Sequence, residues 1–256
     1  MTTTFPESRT VILTGAASPR GIGRATAHYL AGLGWNIGII DLEADASRAV
    51  AAEIAEQHGV RAAGAGANVA SDSQVRTAFD ELEAVLPQLV ALVNLAGISS
   101  PVPYLEVTPE EWDRVIGINL TGVHYTTRRA VESMVKNGLG RVVSLSSVSA
   151  QRGGGTFSKT AYSAAKAGII GFSRSVAREL GVGGITVNVV SPGPIDTDIM
   201  GGTLTEERKT KMAADGVLPR IGTTRDIAAA ISYLISEDAG FVTGQTLNVD
   251  GGLYMH

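Results

Sequence analysis

A tyrosine and a lysine four positions apart, Tyr162 and Lys166 in Tyr-Ser-Ala-Ala-Lys, are the residues of this chain best placed to do chemistry. On a helix that spacing sets both side chains on one face, close enough to interact. A free tyrosine titrates at roughly pH 10 and is a poor acid or base at neutrality. An ammonium fixed nearby favours the phenolate, lowers the pKa and makes the phenol a usable proton donor and acceptor. The same pair can be an ordinary helix-surface feature, so its meaning depends on what else the chain supplies.

A second constellation lies near the start. Thr14-Gly-Ala-Ala-Ser-Pro-Arg-Gly-Ile-Gly23 follows the short apolar run Val11–Leu13 and opens a helical pattern. Glycines let backbone approach a pyrophosphate, and a helix N-terminus offers oriented N–H groups with partial positive charge. Asp41 closes the next apolar run. A carboxylate there can accept from both hydroxyls of an adenosine ribose and repels a 2′-phosphate, which favours NAD over NADP. It could instead be a helix N-cap. Arg20 pulls the other way, since a guanidinium beside the glycines can bind a 2′-phosphate, steer a pyrophosphate or form a salt bridge elsewhere. Asp41 weighs more.

Apolar runs alternate with helix-period segments along most of the chain. Strands are expected at Val11–Leu13, Asn36–Ile40, Arg61–Val69, Leu89–Leu95, Arg141–Leu145 and Ile185–Val190. Helices are expected from about Gly21 to Leu33, Asp45 to His58, Ser71 to Leu86, Thr108 to Asn137 with a break near Trp112, and Lys159 to Leu180. Strands apolar on both faces and separated by helices imply a parallel sheet covered on both sides. No linker or composition shift divides residues 1–256, which read as one domain with a loose tail over 1–8. Pro192–Thr224 is the irregular part. Residues 198–217 within it are expected to form a substrate lid, with Glu206–Lys211 a solvated helix face.

Composition excludes several classes. A formal net charge of -4 without a basic cluster argues against nucleic-acid binding. The absence of cysteine removes disulfides, thiolate metal sites and cysteine nucleophiles. His28, His58, His124 and His256 lack ligand spacing, so no metal is expected. No apolar stretch suits a bilayer and no signal peptide is visible, so a cytoplasmic location is the expectation.

In order and spacing, Thr14-Gly15…Gly21-Ile-Gly23, Asn94-Leu-Ala-Gly97, Asn119, Ser147, Tyr162-x-x-x-Lys166 and Pro192-Gly193 resemble the short-chain dehydrogenase/reductases, over about residues 9 to 252. The resemblance implies an α/β fold. This is a Rossmann-type doubly wound parallel sheet of seven strands, ordered 3-2-1-4-5-6-7, with helices on both faces and a nicotinamide dinucleotide across its C-terminal edge. It also implies hydride transfer between the nicotinamide and a carbinol carbon, with Tyr162 as acid/base on the oxygen. Lys166 would lower the Tyr162 pKa and hydrogen-bond the nicotinamide ribose. Ser147 would donate to the substrate oxygen, and Asn119 would hold a water relaying protons from Lys166. Ser146 is a rival to Ser147, which the family pattern prefers.

Cofactor contacts carry over in the same way. They are Gly15, Ser18, Arg20, Gly21, Ile22 and Gly23 in the loop; Asp41 and Leu42 after the second strand; and Asn68 and Val69 beside the adenine. Asn94, Ala96 and Gly97 would lie under the ribose and pyrophosphate, although Asn94 can equally brace the sheet. Pro192, Gly193, Ile195 and Thr197 would hold the carboxamide. Three departures stand out: a glycine loop two residues longer than usual, Asn68 where the family commonly has Asp, and about two extra residues between Ser147 and Tyr162.

Small residues Ala164, Ala165, Ala167, Gly168 and Gly171 beside the catalytic pair, and an expected last strand in Gly244–Gly252, suggest a homotetramer, with a dimer the alternative. The leading functional expectation is an NAD(H)-dependent oxidoreductase for a secondary alcohol or ketone, acting on a polyol, sugar or small hydroxy compound. A 3-oxoacyl-thioester reductase using NADPH is the alternative within the class. A non-catalytic dinucleotide sensor is the alternative outside it.

Overall fold

The structure, a computed structural model, describes residues 4–155, 157–197, 199 and 202–255. Strands β1 (Thr10–Thr14), β2 (Asn36–Asp41), β3 (Ala62–Gly66), β4 (Leu89–Asn94), β5 (Gly140–Leu145), β6 (Ile185–Pro192) and β7 (Thr246–Val249) form one seven-stranded sheet. Its order is β3-β2-β1-β4-β5-β6-β7 and every pairing is parallel, as the resemblance implies. The connecting helices are α1 (Ile22–Ala31), α2 (Ala44–His58), α3 (Asp72–Val85), α4 (Pro109–Ile116), α5 (Gly122–Asn137), α6 (Ser149–Arg152), α7 (Thr160–Leu180), α8 (Glu206–Ala213) and α9 (Thr224–Leu234).

Successive strand side chains face opposite layers. Val11, Leu13, Ile37 and Ile39 pack with Leu30, Ile54 and Ile227 on the side of α1, α2 and α9. Ile12, Ile40, Leu92 and Val142 pack with Phe79, Leu82 and Met134 on the other side. Both faces are therefore dry, which explains the uninterrupted apolar runs. Truncating the fully buried Phe79 to Ala should cost about 3–5 kcal/mol. The sheet reverses its winding between β1 and β4, opening a crevice at the carboxyl ends of the strands.

Several boundaries differ from expectation. β3 stops at Gly66, short of Val69. It is also Ala/Gly-rich because α2 lies on it: a Cβ at Gly64 would fall 2.3 Å from the Ser47 carbonyl oxygen. The long helix breaks at Gly117–Thr121, a π-helical turn, and not near Trp112. β7 covers only Thr246–Val249, because Gly251 and Gly252 turn the chain with φ of 68° and 80°. The expected loose tail is anchored at Phe5, which is buried edge-on against Trp35 and donates its N–H to Glu237 Oε1 at 2.7 Å. Glu206–Lys211 falls in α8, a helix without a buried residue. In the expected lid, Asp198, Met200 and Gly201 lie outside the described residues, as does Thr156 in the loop before α7. Among the described residues no helix is long and apolar enough to cross a membrane.

Candidate active site at the carboxyl edge of the sheet

Tyr162 and Lys166 sit in the first two turns of α7, and Ser147 stands two residues past the end of β5. The Ser147 hydroxyl hydrogen-bonds the Tyr162 phenol and also accepts from Ser149 N–H at 3.1 Å. Ser146, its rival, is buried and donates its hydroxyl proton to the Lys166 carbonyl at 2.8 Å, so it locks α7 to β5. Lys166 Nζ donates to Leu145 O at 2.8 Å and lies over the Tyr162 ring, 5.6 Å from its centroid.

That geometry corrects one expectation. Lys166 stands over the ring face with one of its three N–H groups on a carbonyl, and burial of the phenol is the dominant influence on it. Burial pushes Tyr162 up to about 12, opposed by the Ser147 hydrogen bond. Burial also pushes Lys166 down to about 8. At neutral pH the phenol is therefore protonated and able to donate. Behind it stands an ammonium that gives up its proton close to working pH and can restore one.

Asn119 occupies the centre of the π-turn and explains it. Its amide donates to Val115 O at 3.0 Å, taking a carbonyl four residues back that a backbone N–H would claim in an α-helix. The helix accommodates this with a wider turn. The same amide donates to Ile98 O at 3.0 Å and accepts from Ile98 N at 3.3 Å, tying the helix to the chain leaving β4. A Cβ at Gly97 would lie 2.7 Å from Asn119 Oδ1 and 3.5 Å from Lys166 Nζ, so these three residues converge and only glycine fits.

The nucleotide end is built from backbone. Gly15 has φ +71°, and a Cβ there would lie 2.6 Å from Ala96 Cα. At Gly23 a Cβ would lie 2.2 Å from Gly15 O. The loop therefore folds tightly against the ends of β1 and β4, with Thr14 Oγ1 accepting from Leu95 N and Ala96 N at 3.1 and 3.2 Å. Gly21 caps α1 without a side chain, and the first turn carries no acid, so its N–H groups suit a pyrophosphate. Asp41 Oδ2 accepts from Ala17 N and Oδ1 from Leu42 N, both at 2.8 Å. It is thus fixed at the loop and is not the N-cap of α2, a place held by Glu43.

Other expected contacts divide. Asn94 is buried, donates to Thr127 Oγ1 and Ser144 Oγ, and accepts from Thr126 Oγ1 at 2.7 Å. It braces β4 against α5 and β5, with both amide N–H groups engaged there. Asn68 is exposed, with Oδ1 turned back onto Ala70 N, while Val69 is buried against Gly122. Ser18 O accepts from Gly21 N within the loop. Gly193 approaches so closely that a Cβ would meet Asp250 Cα at 2.8 Å, and Ile195 bridges to Gly222. Arg20 turns outward to Asp196, at 2.7 Å.

A cavity of about 370 Å³ connects the two ends. Ser147, Tyr162, Arg152, Phe157, Met212 and Leu253 line it together with Ile22, Pro192, Gly193, Ile195 and Thr197. A larger concavity, about 930 Å³, lies at the amino ends of β5 and β6, away from Tyr162. Sequence reasoning missed Gln151, whose amide exchanges hydrogen bonds with Asn248 at 3.0 and 3.2 Å and pins α6 to β7. It also missed the contact between His28 Nδ1 and His58 Nε2, 3.2 Å apart on α1 and α2. Neither pair has a spacing signal, since both join residues distant in the chain.

A Rossmann sheet whose edge carries a glycine loop, a Tyr-x-x-x-Lys pair, a serine on the tyrosine and an asparagine in a π-turn defines a dehydrogenase/reductase. Comparison with known proteins makes this specific. A family model described as enoyl-(acyl carrier protein) reductase matches residues 15–254. An uncharacterized short-chain type dehydrogenase/reductase of Sinorhizobium fredii is 39% identical over 251 residues, 98% of this chain and 99% of that protein. A 3-oxoacyl-[acyl-carrier-protein] reductase of Aquifex aeolicus is 37% identical, over 97% of this chain and 98% of its own length. The crystal structure of a 3-oxoacyl-[acyl-carrier protein] reductase from Brucella melitensis superposes with a TM-score of 0.89 at 33% identity, covering 100% of this chain and 98% of that one. The chain belongs to the short-chain dehydrogenase/reductase family and is an oxidoreductase acting on CH–OH donors with a nicotinamide cofactor.

Proposed function

We propose that the chain is an NAD(H)-dependent oxidoreductase interconverting a secondary alcohol and a ketone, with Tyr162 as the acid/base. In this reading it is one Rossmann domain with residues 198–217 as the substrate lid, and it works as a cytoplasmic homotetramer. The observation that carries the reading is that Ser147 and Tyr162, with Lys166 behind the tyrosine ring, meet at a cavity also lined by Ile22 after the glycine loop and by the turn at Pro192. A bound nicotinamide would supply the hydride acceptor or donor. In reduction, Tyr162 gives its phenolic proton to the carbonyl oxygen while Ser147 donates a second hydrogen bond to it. Lys166 then returns a proton to the phenolate, and Asn119 holds Gly97 and Ile98 so that the lysine has one position.

NAD is favoured over NADP by the end of β2. Asp41 is held by Ala17 N and Leu42 N with lone pairs to spare for a ribose diol. A 2′-phosphate there would meet the Asp41 carboxylate, and the two residues that follow, Leu42 and Glu43, supply no cation. Arg20, the residue that argues for NADP, is engaged by Asp196. The tetramer is supported by Ala164, Ala167 and Gly171, small and exposed along α7.

For the substrate, a polyol, sugar or small hydroxy compound is supported by the polar side of the cavity, where Ser149, Ser158, Arg152 and Asp215 gather. A second reading, a 3-oxoacyl thioester, is supported by the names of the Aquifex aeolicus and Brucella melitensis proteins and by the apolar side formed by Phe157, Ile199, Met212 and Leu253. Absorbance of reduced nicotinamide, followed with both cofactors against polyols, sugars, hydroxy acids and 3-oxoacyl thioesters, separates the two. Turnover confined to thioesters with NADPH would replace the first reading with the second. Asp41→Ala should narrow the preference for NAD by about tenfold, and an unchanged preference would remove Asp41 from the reading.

A further inference from the structure

The glycine loop that departs from the family's spacing reaches across the site. From its outer arm, the Arg20 guanidinium donates to Asp196 Oδ1 at 2.7 Å and to the Thr203 hydroxyl. Asp196 stands between Ile195 and Thr197 in the turn after β6. Its other contacts belong to the chain beyond: Leu204 N donates to Oδ1 at 3.3 Å, and Lys209 Nζ on α8 lies 3.1 Å from Oδ2. One carboxylate thus joins the glycine loop, the turn and the lid. Lys209 above all, with Leu204 N–H and Arg20, holds the Asp196 carboxyl below its ordinary range, so it is charged at any working pH.

We propose that Arg20 and Asp196 form a clasp across the mouth of the dinucleotide site, which positions the Ile195–Thr197 turn and limits how fast the cofactor leaves. The clasp rests on the reading that the dinucleotide lies between the glycine loop and that turn. Ile22, from the loop, and Ile195 and Thr197, from the turn, face the same cavity. A bond joining the two elements outside those residues encloses whatever is seated between them. Neither Arg20 nor Asp196 touches the reacting atoms; both are positioning residues. Thr203 and Lys209 extend the clasp into the lid, so releasing the cofactor and opening the substrate side become one motion.

Stopped-flow displacement of NADH, read by its fluorescence, tests this in the intact enzyme. Arg20→Ala and Asp196→Asn should each speed NADH dissociation about three- to fivefold, as expected for loss of one partly exposed ion pair. The double variant should be slower than the product of the two single effects, because the Arg20–Asp196 link is lost in both while the Thr203, Leu204 and Lys209 contacts are lost separately. Arg20→Lys should recover part of the effect, and KM for NADH should rise more than kcat changes. Unchanged dissociation from Arg20→Ala, or effects that multiply in the double variant, would overturn the clasp. So would a loss of NADPH affinity far exceeding that of NADH, which would assign Arg20 to a 2′-phosphate. If the wild type bound neither reduced cofactor, the dinucleotide reading beneath the clasp would fail instead.

Discussion

The floor of the site and its cover are held by different kinds of bond. On the floor, Lys166, Asn119 and Ser146 are buried, and their partners are neutral backbone groups: Leu145 O, Ile98 N and O, Val115 O and Lys166 O. Apart from the local bond to Val115 O, each joins one element at the sheet edge to another. In the cover, from Asp196 to Asp226, backbone bonds from Val217 and Leu218 to Gly251 O and from Gly222 to Pro194 O are supplemented by ion pairs: Arg20–Asp196, Lys209–Asp196, Lys209–Glu206 and Arg220–Asp226. Exposed pairs contribute about 0–1 kcal/mol each and weaken with salt. A buried amide that loses its partners costs roughly 1–3 kcal/mol for every group left unsatisfied. The floor thus rests on buried neutral bonds, and the cover leans in addition on ion pairs that salt weakens.

The sharpest way to break this contrast is to remove one atom from the floor. Tyr162→Phe keeps the ring beneath Lys166 and deletes only the hydroxyl that meets Ser147. Turnover should fall by about a thousandfold or more, the scale of a lost general acid, while NADH affinity stays within about twofold. Retention of more than about a tenth of the wild-type rate would show that the proton travels by another route. No variant of the cover should approach this loss, because none of its residues exchanges a proton with the substrate.

A pH profile examines the floor without disturbing its packing. Burial lowers Lys166 to about 8 from an ordinary 10.5. Reduction needs its proton, so kcat/KM for the ketone should hold at neutral pH and decline above about 8. In Lys166→Arg, whose guanidinium stays charged, any remaining activity should lose that decline. Stability should move the opposite way. Between pH 8 and 10.5 the unfolded chain holds the lysine proton and the folded chain has shed it, so stability rises with pH across that window. Lys166→Met should abolish the rise in denaturant titrations. A rise of the same size in that variant would assign it to other groups.

The contrast also explains what could be read from the residues alone. The sheet was legible because strands buried on both faces must be continuously apolar, as in Val11–Leu13 and Leu89–Asn94. Tyr162 and Lys166 were legible from their four-residue spacing on a helix, and Ser147 through the family resemblance and its place at a strand end. The π-turn was not, since it depends on one amide capturing Val115 O and leaves no hydrophobic period to follow. The inward role of Asn94 was hidden for a similar reason: its partners Thr126, Thr127 and Ser144 come from other elements. Least legible was the cover, where Arg20 meets Asp196 across most of the chain. Charges pair by proximity in space, and spacing in sequence does not encode it.

Gln151 lies on the border between the two regimes and should give the smallest effect. It belongs to α6, directly after Ser147, and so starts from the floor. Its amide exchanges two hydrogen bonds with Asn248, and Ser191 donates to its Oε1 at 3.2 Å. These neutral, partly buried bonds hold α6, and with it Arg152 and the cavity wall, against β6 and β7. Gln151→Leu keeps the bulk and removes the bonds. The wall then loosens while Tyr162, Ser147 and the glycine loop remain in place. Substrate KM should rise about three- to tenfold, a loss of roughly 1 kcal/mol, with NADH affinity unchanged. A fall in kcat as large as that of Tyr162→Phe would place Gln151 among the groups that order Ser147, moving the border between floor and cover to the far side of α6.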